Sequence, residues 1–388
     1  MGGDVSKPDN LDAYNIYDLR EMASRRLPKF LFDFIDRGAE DEVAMHNNRA
    51  ALDRIKLNPR MLVDVSVRSQ ETTLFGNKQS MPIAIAPTGA AGLLWHEGEI
   101  ALARAAKEAG IPFTLATNSI TPMEKVAEQA GGRLWFQLYM WADRSMSHQL
   151  IQRANSAGYE ALVVTVDSVI HPNREYNQHN GYTRPFTFNR KNVTDVLTHP
   201  RWMFRVFARY MMTTGMPRRE NLPDELRKSI VKDISLIKNE SLNWDDLKAF
   251  RKMWPGKLMV KGILHPKDAV LAADCGADAV IVSNHGGRNL DSAKAPIDVL
   301  PQVVDAVGNR VTVIVDSGFR RGSDVIKALA LGAKAVLIGR STLYGTTVAG
   351  QAGAARAIEI FREEIDRILV QIGCRSVSEL NAEYVSLA

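Results

Sequence analysis

Eight short apolar runs, each closing on glycine, a hydroxyl, an amide or a charge, recur between residues 82 and 340. They read PIAIAPTG (82–89), PFTLATNS (112–119), LWFQLYM (134–140), ALVVTVD (161–167), KLMVKGI (257–263), DAVIVSNHGG (278–287), VTVIVDSG (311–318) and AVLIGR (335–340). Between them lie segments with apolar residues at helical spacing, such as Gly98–Ala109, Pro122–Ala130, Ser145–Ala157, Pro266–Cys275, Pro296–Val307 and Arg321–Leu331. Near-continuous Val, Ile and Leu marks strands buried on both faces, and alternation with helices makes such strands parallel. Repeated eight times, the pattern predicts an α/β fold, a closed (β/α)8 TIM barrel.

A barrel of this kind takes ~250 residues, so a chain of 388 residues has additions. Residues 1–75 read as a helical arm, with helices over Asn15–Arg26 and Leu27–Arg37 and Gly38 placed as a C-cap glycine. The barrel occupies 76–388, and the chain reads as one domain over 1–388. The connection from the fourth run to the fifth, Ser168 to Pro255, is far longer than the others, with an insertion at 171–243. It leaves the C-terminal end of a strand, so it is expected to hang over the barrel mouth, where such barrels do their chemistry. A core of this size needs no staple. The two cysteines, Cys275 and Cys374, exclude a disulfide framework or a Cys-rich metal site and fit a reducing compartment.

Polar groups at strand ends point into that mouth. Here they are Thr88 and Gly89, Thr117, Gln137 and Tyr139, Thr165 and Asp167, Lys261, Ser283 and His285, Asp316 and Gly318, and Gly339 and Arg340. A lysine at the end of an apolar strand, Lys261, is either a fixed cation facing an electron-rich group or the partner of a nearby carboxylate. In SNHGGRNLD (283–291), His285 can take a proton near neutral pH and Arg288, three residues on, can grip a carboxylate. Gly318 and Gly339 expose backbone amides after the last two strands, beside Arg320 and Arg340, a phosphate cradle in outline.

These motifs resemble the FMN-dependent α-hydroxy-acid dehydrogenases and oxidases. The likeness runs from LPKFLFDFIDRGAEDE (27–42) to IGCRS (372–376), and SNHGGR and DSGFRRGSDVIKALALGA are its most specific parts. It is strongest to the membrane-associated (S)-mandelate dehydrogenase branch, through PTG, WFQLY, HPRW, WPGKLMVKG and RSTLYG. The resemblance implies FMN as cofactor and oxidation of an L-2-hydroxy acid to the 2-keto acid. It implies His285 as the base, Asp167 as the carboxylate supporting its imidazolium, Arg174 and Arg288 as the substrate carboxylate clamp, and Tyr139 as a hydroxyl near the reacting carbon. Gln137, Thr165, Lys261 and Ser283 would contact the flavin ring, with Pro87, Thr88, Gly89 and Thr117 beside it. Asp316 would hold the ribityl chain, and Gly318, Arg320, Gly339 and Arg340 the phosphate. No metal is implied. The chain departs from the family pattern at Phe34, where a substrate-contacting tyrosine is usual, and at Ala116, where a serine is common.

The net charge of +5 is spread along the chain, unlike the basic stripe of a nucleic-acid binder, and no uncharged stretch reaches the ~20 residues of a membrane span. The opening MGGDVSKPDN lacks the basic and apolar regions of a secretion signal. Within the insertion, HPRWMFRVFARYMMTTGMPRR (199–219) places Arg201, Arg205 and Arg209 on one side and Trp202, Met203, Val206, Phe207, Tyr210 and Met211 on the other. That pattern suits either an anionic bilayer surface or packing on the barrel. With the resemblance it implies a cytoplasmic protein, peripheral on the inner membrane face, that passes electrons to a quinone or to O2 as a homotetramer. Two other readings remain at this point: another FMN barrel enzyme, or a membrane-docked flavin sensor without turnover.

Overall fold

The computed structural model describes residues 11–182, 189–222 and 240–387; the opening decapeptide read above lies outside them. Eight parallel strands close into a barrel in chain order: β1 (Ile83–Ile85), β2 (Phe113–Ala116), β3 (Leu134–Tyr139), β4 (Ala161–Thr165), β5 (Lys257–Ile263), β6 (Ala279–Val282), β7 (Thr312–Val315) and β8 (Ala335–Ile338). β8 pairs back onto β1 through Val336 and Ile83. Seven of the strands are shorter than the apolar runs that encode them, and β5 spans its run in full. Most of the runs end in a tail that has left the ladder at the mouth. The barrel interior is filled by Ala84, Trp135, Val163, Met259, Ile281, Ile314 and Leu337, all buried.

Six helices fall where the periodicity placed them, α1 (Gly98–Glu108), α2 (Met123–Gln129), α3 (Arg144–Ser156), α5 (Pro266–Asp274), α6 (Pro296–Val307) and α7 (Gly322–Ala330), and two more, α4 (Trp244–Met253) and α8 (Arg340–Gln371), complete the ring. Side-chain caps fix several starts. Asp143 accepts from the Ser145 amide at the head of α3, and Asn243 with Asp246 forms a capping box on α4.

The arm contains Ile16–Arg26 and Lys29–Asp36, as expected, and a third helix, Val43–Arg54, that periodicity did not reveal. Its first amides, of Val43 and Ala44, donate to the Asp291 carboxylate (3.1 Å each), so the loop after β6 caps the arm. A hairpin, Thr72–Leu74 with Asn77–Gln79, straddles residue 75, where the sequence divides arm from barrel. Gly38 does not act as a C-cap: the second helix ends at Arg37 in extended backbone, and Gly38 has no left-handed φ. Space demands the glycine instead, because a Cβ there would lie 2.8 Å from the Gly287 carbonyl.

The arm is locked to the barrel by a buried carboxylate. Asp36 takes a bidentate pair from Arg20 (2.7 and 2.6 Å) and the Tyr344 hydroxyl (2.6 Å). Burial opposes its charge, yet the Arg20 and Tyr344 hydrogen bonds hold the carboxyl below the ordinary range. Asp36→Asn is expected to cost about 2 kcal/mol in urea unfolding, because two donors lose a charged acceptor. In the unaltered chain this contribution is present above the ordinary carboxyl value of 3.8 and is lost as pH falls through the lower folded-state value.

Candidate active site

At the C-terminal end of the strands lies one cavity of about 640 Å3. Phe34, Pro87, Thr88, Gly89, Tyr139, Arg174, Lys261, His285, Arg288, Asp316, Gly318, Arg320, Gly339 and Arg340 all line it. Ala116 is in the wall too. Thus the arm, the ends of all eight strands (β4 through Ser168) and the insertion converge on one space.

His285 ends β6 in left-handed backbone (φ 58°), a costly conformation for a side-chain-bearing residue. Its own amide donates to Ser283 Oγ (3.0 Å), which helps hold the turn. Gly286 continues at φ 69°, and a Cβ there would sit 2.7 Å from Arg340 Nη1. The imidazole Nδ1 lies 2.9 Å from Asp167 Oδ1, and Nε2 lies 3.5 Å from the Tyr139 hydroxyl. Asp167 can approach because β5 bulges between Lys261 and Ile263. Gly262 sits there at φ 107°, and a Cβ would come within 2.7 Å of Asp167 Cβ.

The charges set one another. Burial opposes the Asp167 carboxylate, but His285, Lys261 and Ser168 outweigh it and hold the carboxyl below the usual range. Burial lowers His285 below the ordinary 6.5, with Asp167 pulling the other way and Lys261 and Arg174 adding to the fall. With Asp167 ionised, Nδ1 carries the proton and Nε2 presents a lone pair to the cavity. Burial also opposes the charge on Lys261, but Asp316 and Asp167 keep it an ammonium. It pairs with Asp316 at 3.0 Å and donates to Ser283 Oγ at 2.8 Å, which is the carboxylate-partner reading of this lysine, and it also lines the cavity.

Arg174 donates through Nε and Nη2 to the Arg288 carbonyl (3.3 and 3.0 Å), and Arg288 Nη1 donates to the Arg37 carbonyl (2.8 Å). The Arg288 guanidinium stands over the Phe34 ring at 5.5 Å. Thr117, Gln137, Thr165 and Ser283 do not line the cavity. They form a buried lattice behind its wall, with Gln137 Nε2 on Thr165 Oγ1 (3.0 Å) and Thr117 Oγ1 on the Gln137 carbonyl (2.6 Å).

The sequence reading missed Tyr182, whose ring lies 5.5 Å from Phe34 and 5.8 Å from Phe30 in the same wall, and Asn289, also in the lining. No periodicity marks either residue. The insertion closes the space with Val196, Trp202, Phe207 and Met216 through Arg219. The helix carrying Trp202 does not divide as expected. Trp202, Val206 and Tyr210 pack inward, with Trp202 Nε1 donating to the Leu93 carbonyl (2.7 Å) and the Tyr210 hydroxyl accepting from the Glu97 amide (2.9 Å). Phe204 (64% exposed), Met211 and Met212 (78%) face outward with Arg201, Arg205 and Arg209. The reason is angular. Residues four apart share a face, and the arginine row lies only about 100° from the tryptophan row, so a third face remains.

Comparison with known proteins agrees with this architecture. The family model described as FMN-dependent dehydrogenase matches residues 23–387. The chain is 43% identical to (S)-mandelate dehydrogenase of Pseudomonas putida, over 96% of this chain and 93% of that one. It is 41% identical to an L-lactate dehydrogenase of Caulobacter vibrioides, over 94% and 95%. The crystal structure of the monotopic membrane protein (S)-mandelate dehydrogenase superposes with a TM-score of 0.92 at 42% identity, covering 97% of this chain and all of that one.

The residues present fit FMN. Arg340 is half-buried, and among the described residues no carboxylate lies within ion-pair distance of it. It donates only to the Ile35 (3.1 Å), Gly286 (2.9 Å) and Arg37 (3.1 Å) carbonyls and to the Met45 sulfur. Burial and the neighbouring Arg288 push it down to about 10, the signature of a positive site awaiting an anion. Thr88 Oγ1 is buried in the same wall with no hydrogen-bond partner. Arg340→Leu is therefore expected to lower FMN affinity at least about tenfold, read as loss of flavin absorbance after gel filtration; full retention would contradict a phosphate role. With fold, family match and fit in agreement, the chain belongs to the FMN-dependent dehydrogenase family and is an FMN-dependent oxidoreductase.

Proposed function

We propose that the protein oxidises an (S)-2-hydroxy acid to the 2-keto acid, acting as one unit over the whole chain. The observation that carries this reading is the His285 Nε2 lone pair, set in the same cavity as two guanidinium groups. Arg174 and Arg288 bind the substrate carboxylate, which leaves the hydroxyl-bearing carbon near His285 and Tyr139. His285 takes the hydroxyl proton at Nε2, and Asp167 stabilises the resulting imidazolium through Nδ1. Tyr139, whose hydroxyl is held protonated by burial and by Asp167, donates to the substrate oxygen. Bound FMN would supply the acceptor for the hydride, the carbon-bound hydrogen with its electron pair. Lys261 would offer that cofactor a fixed ammonium, and Asp316 orients the lysine. Arg340, Arg320 and the turns at Gly318 and Gly339 hold the phosphate.

Phe34 and Tyr182 make the wall beside the clamp aromatic, which supports a substrate with a bulky apolar 2-substituent, mandelate-like or larger. No helix among the described residues is long and apolar enough to cross a membrane. The outward Phe204, Met211 and Met212 with their arginines support peripheral docking on an anionic bilayer. Because the same insertion walls the cavity, a membrane quinone is the favoured final acceptor, with O2 the alternative. A homotetramer, implied by the family resemblance alone, is the proposed assembly.

His285→Asn is expected to keep the flavin colour and to slow anaerobic bleaching by substrate at least about a thousandfold. Undiminished bleaching would defeat the base assignment, and binding without bleaching in the unaltered protein would favour the sensor. The rate in the unaltered enzyme should be full at neutral pH and fall only below 6.5, since a buried histidine with a lowered value stays neutral further into acid. A Phe204→Glu, Met212→Glu double variant should move the protein from anionic phospholipid vesicles to the supernatant in a sedimentation assay, with flavin reduction unchanged. Continued sedimentation would remove this face as the docking surface.

A further inference from the structure

The reading above assigns the proton to His285 and the support to Asp167, but neither accounts for how the carboxylate is held. Asn289, next to Arg288 in the loop after β6, reaches back to the end of β4. Its Nδ2 lies 2.8 Å from the Asp167 carbonyl oxygen, 2.8 Å from Ser168 Oγ and 3.2 Å from Asp167 Oδ1. Two of these partners are obligate acceptors, so the amide nitrogen, not the amide oxygen, must face them. Ser168 Oγ in turn donates to Asp167 Oδ1 (3.2 Å) and lies 3.5 Å from His285 Nδ1. The two Nδ2 protons are shared among three acceptors, so Oδ1, the oxygen that meets His285 at 2.9 Å, takes a hydrogen bond from Ser168 and a longer, shared one from Asn289, while Oδ2 is buried with no partner among the described residues.

We propose that Asn289 and Ser168 are positioning residues that pin Asp167 Oδ1 on the imidazole and, by sharing that oxygen, limit the proton affinity of His285. A carboxylate oxygen already accepting two neutral hydrogen bonds is a weaker partner for an imidazolium than a bare one. The base stays neutral near pH 7 although it sits against a buried anion. The other groups facing His285 are Tyr139 from β3, Arg174 from the insertion, Lys261 from β5 and Arg288 from its own loop. Of these, Lys261 and Arg174 also lower its proton affinity. The amide and hydroxyl do the same without adding charge.

This inference rests on His285 being the base, and the experiment separates the two. In the FMN-loaded enzyme, the pH profile of kcat/KM for anaerobic flavin reduction is measured for the unaltered chain, Asn289→Ala, Asn289→Gln and Ser168→Ala. Asn289→Ala is expected to move the acid limb up by about half a pH unit, about threefold in proton affinity. It should also lower kcat about tenfold with KM within about twofold, because the carboxylate clamp is untouched. Asn289→Gln, which keeps the amide, should return the limb toward its original place. An acid limb in Asn289→Ala that stays put or moves down overturns the proposal, since a merely structural role would lower the rate without moving the limb. If Asn289→Ala fails to retain flavin, Ser168→Ala decides: a limb moved up supports the relay, and an unmoved limb overturns it. Bleaching that persists in His285→Asn would instead overturn the base assignment.

Discussion

A single hydrogen bond, His285 Nδ1 to Asp167 Oδ1 at 2.9 Å, joins the ends of β4 and β6 across the intervening β5, and much of the site's construction serves it. The bulge at Gly262 clears the space that Asp167 occupies, and the left-handed turn at His285 and Gly286 aims the ring. Asn289 ties the two loops together from the far side. In water a hydrogen bond of this kind is worth little, but shielded here it fixes the neutral tautomer and leaves one ring nitrogen open to the cavity. Removing any support leaves a buried charge short of partners, which is the costly outcome.

The second constraint is excess positive charge. Arg174, Arg218, Arg219, Arg288, Arg320, Arg340 and Lys261 line one cavity, and among the described residues only Asp316 joins them there as a carboxylate. A fold does not gather six guanidinium groups for its own stability, because each loses hydration and repels the others. Arg340, held among the described residues by backbone carbonyls and one weak sulfur contact, shows the tension most clearly. The proposed phosphate and substrate carboxylate would relieve it. The arm takes part directly, since Ile35 and Arg37 supply carbonyls to Arg340 and the Arg20–Asp36–Tyr344 cluster keeps those carbonyls in place.

The insertion does two jobs with one helix. Trp202, Val206 and Tyr210 anchor it to the segment following β1, so it closes the cavity as a fixed wall. Its remaining surface mixes Phe204, Met211 and Met212 with arginine side chains, and these face solvent. A helix that packed all its aromatic residues inward would need no such surface, and one that turned them all outward could not seal the site. The three-way division lets the same element wall the cavity and still turn Phe204, Met211 and Met212 to solvent, the face on which the proposed docking rests.

The order of eight apolar runs was enough to determine the barrel, because a β-branched run buried on both faces has few alternatives and each helical period lies between two such runs. The strand-end residues were legible in part: Thr88, Tyr139, Lys261, His285 and Asp316 reach the mouth, whereas Thr117, Gln137, Thr165 and Ser283 are buried behind its wall, a difference that residue type does not encode. His285, Arg288, Lys261 and the glycine–arginine tail announced themselves by residue type. What tertiary structure decided was contact between segments distant in the chain. Nothing local tells that Asn289 reaches Asp167, that Tyr182 meets Phe34, that Gly38 makes room for a carbonyl, or that Val43–Arg54 is capped by Asp291. Those facts depend on how far one loop end lies from another once the barrel has closed, a distance that periodicity along the chain does not encode.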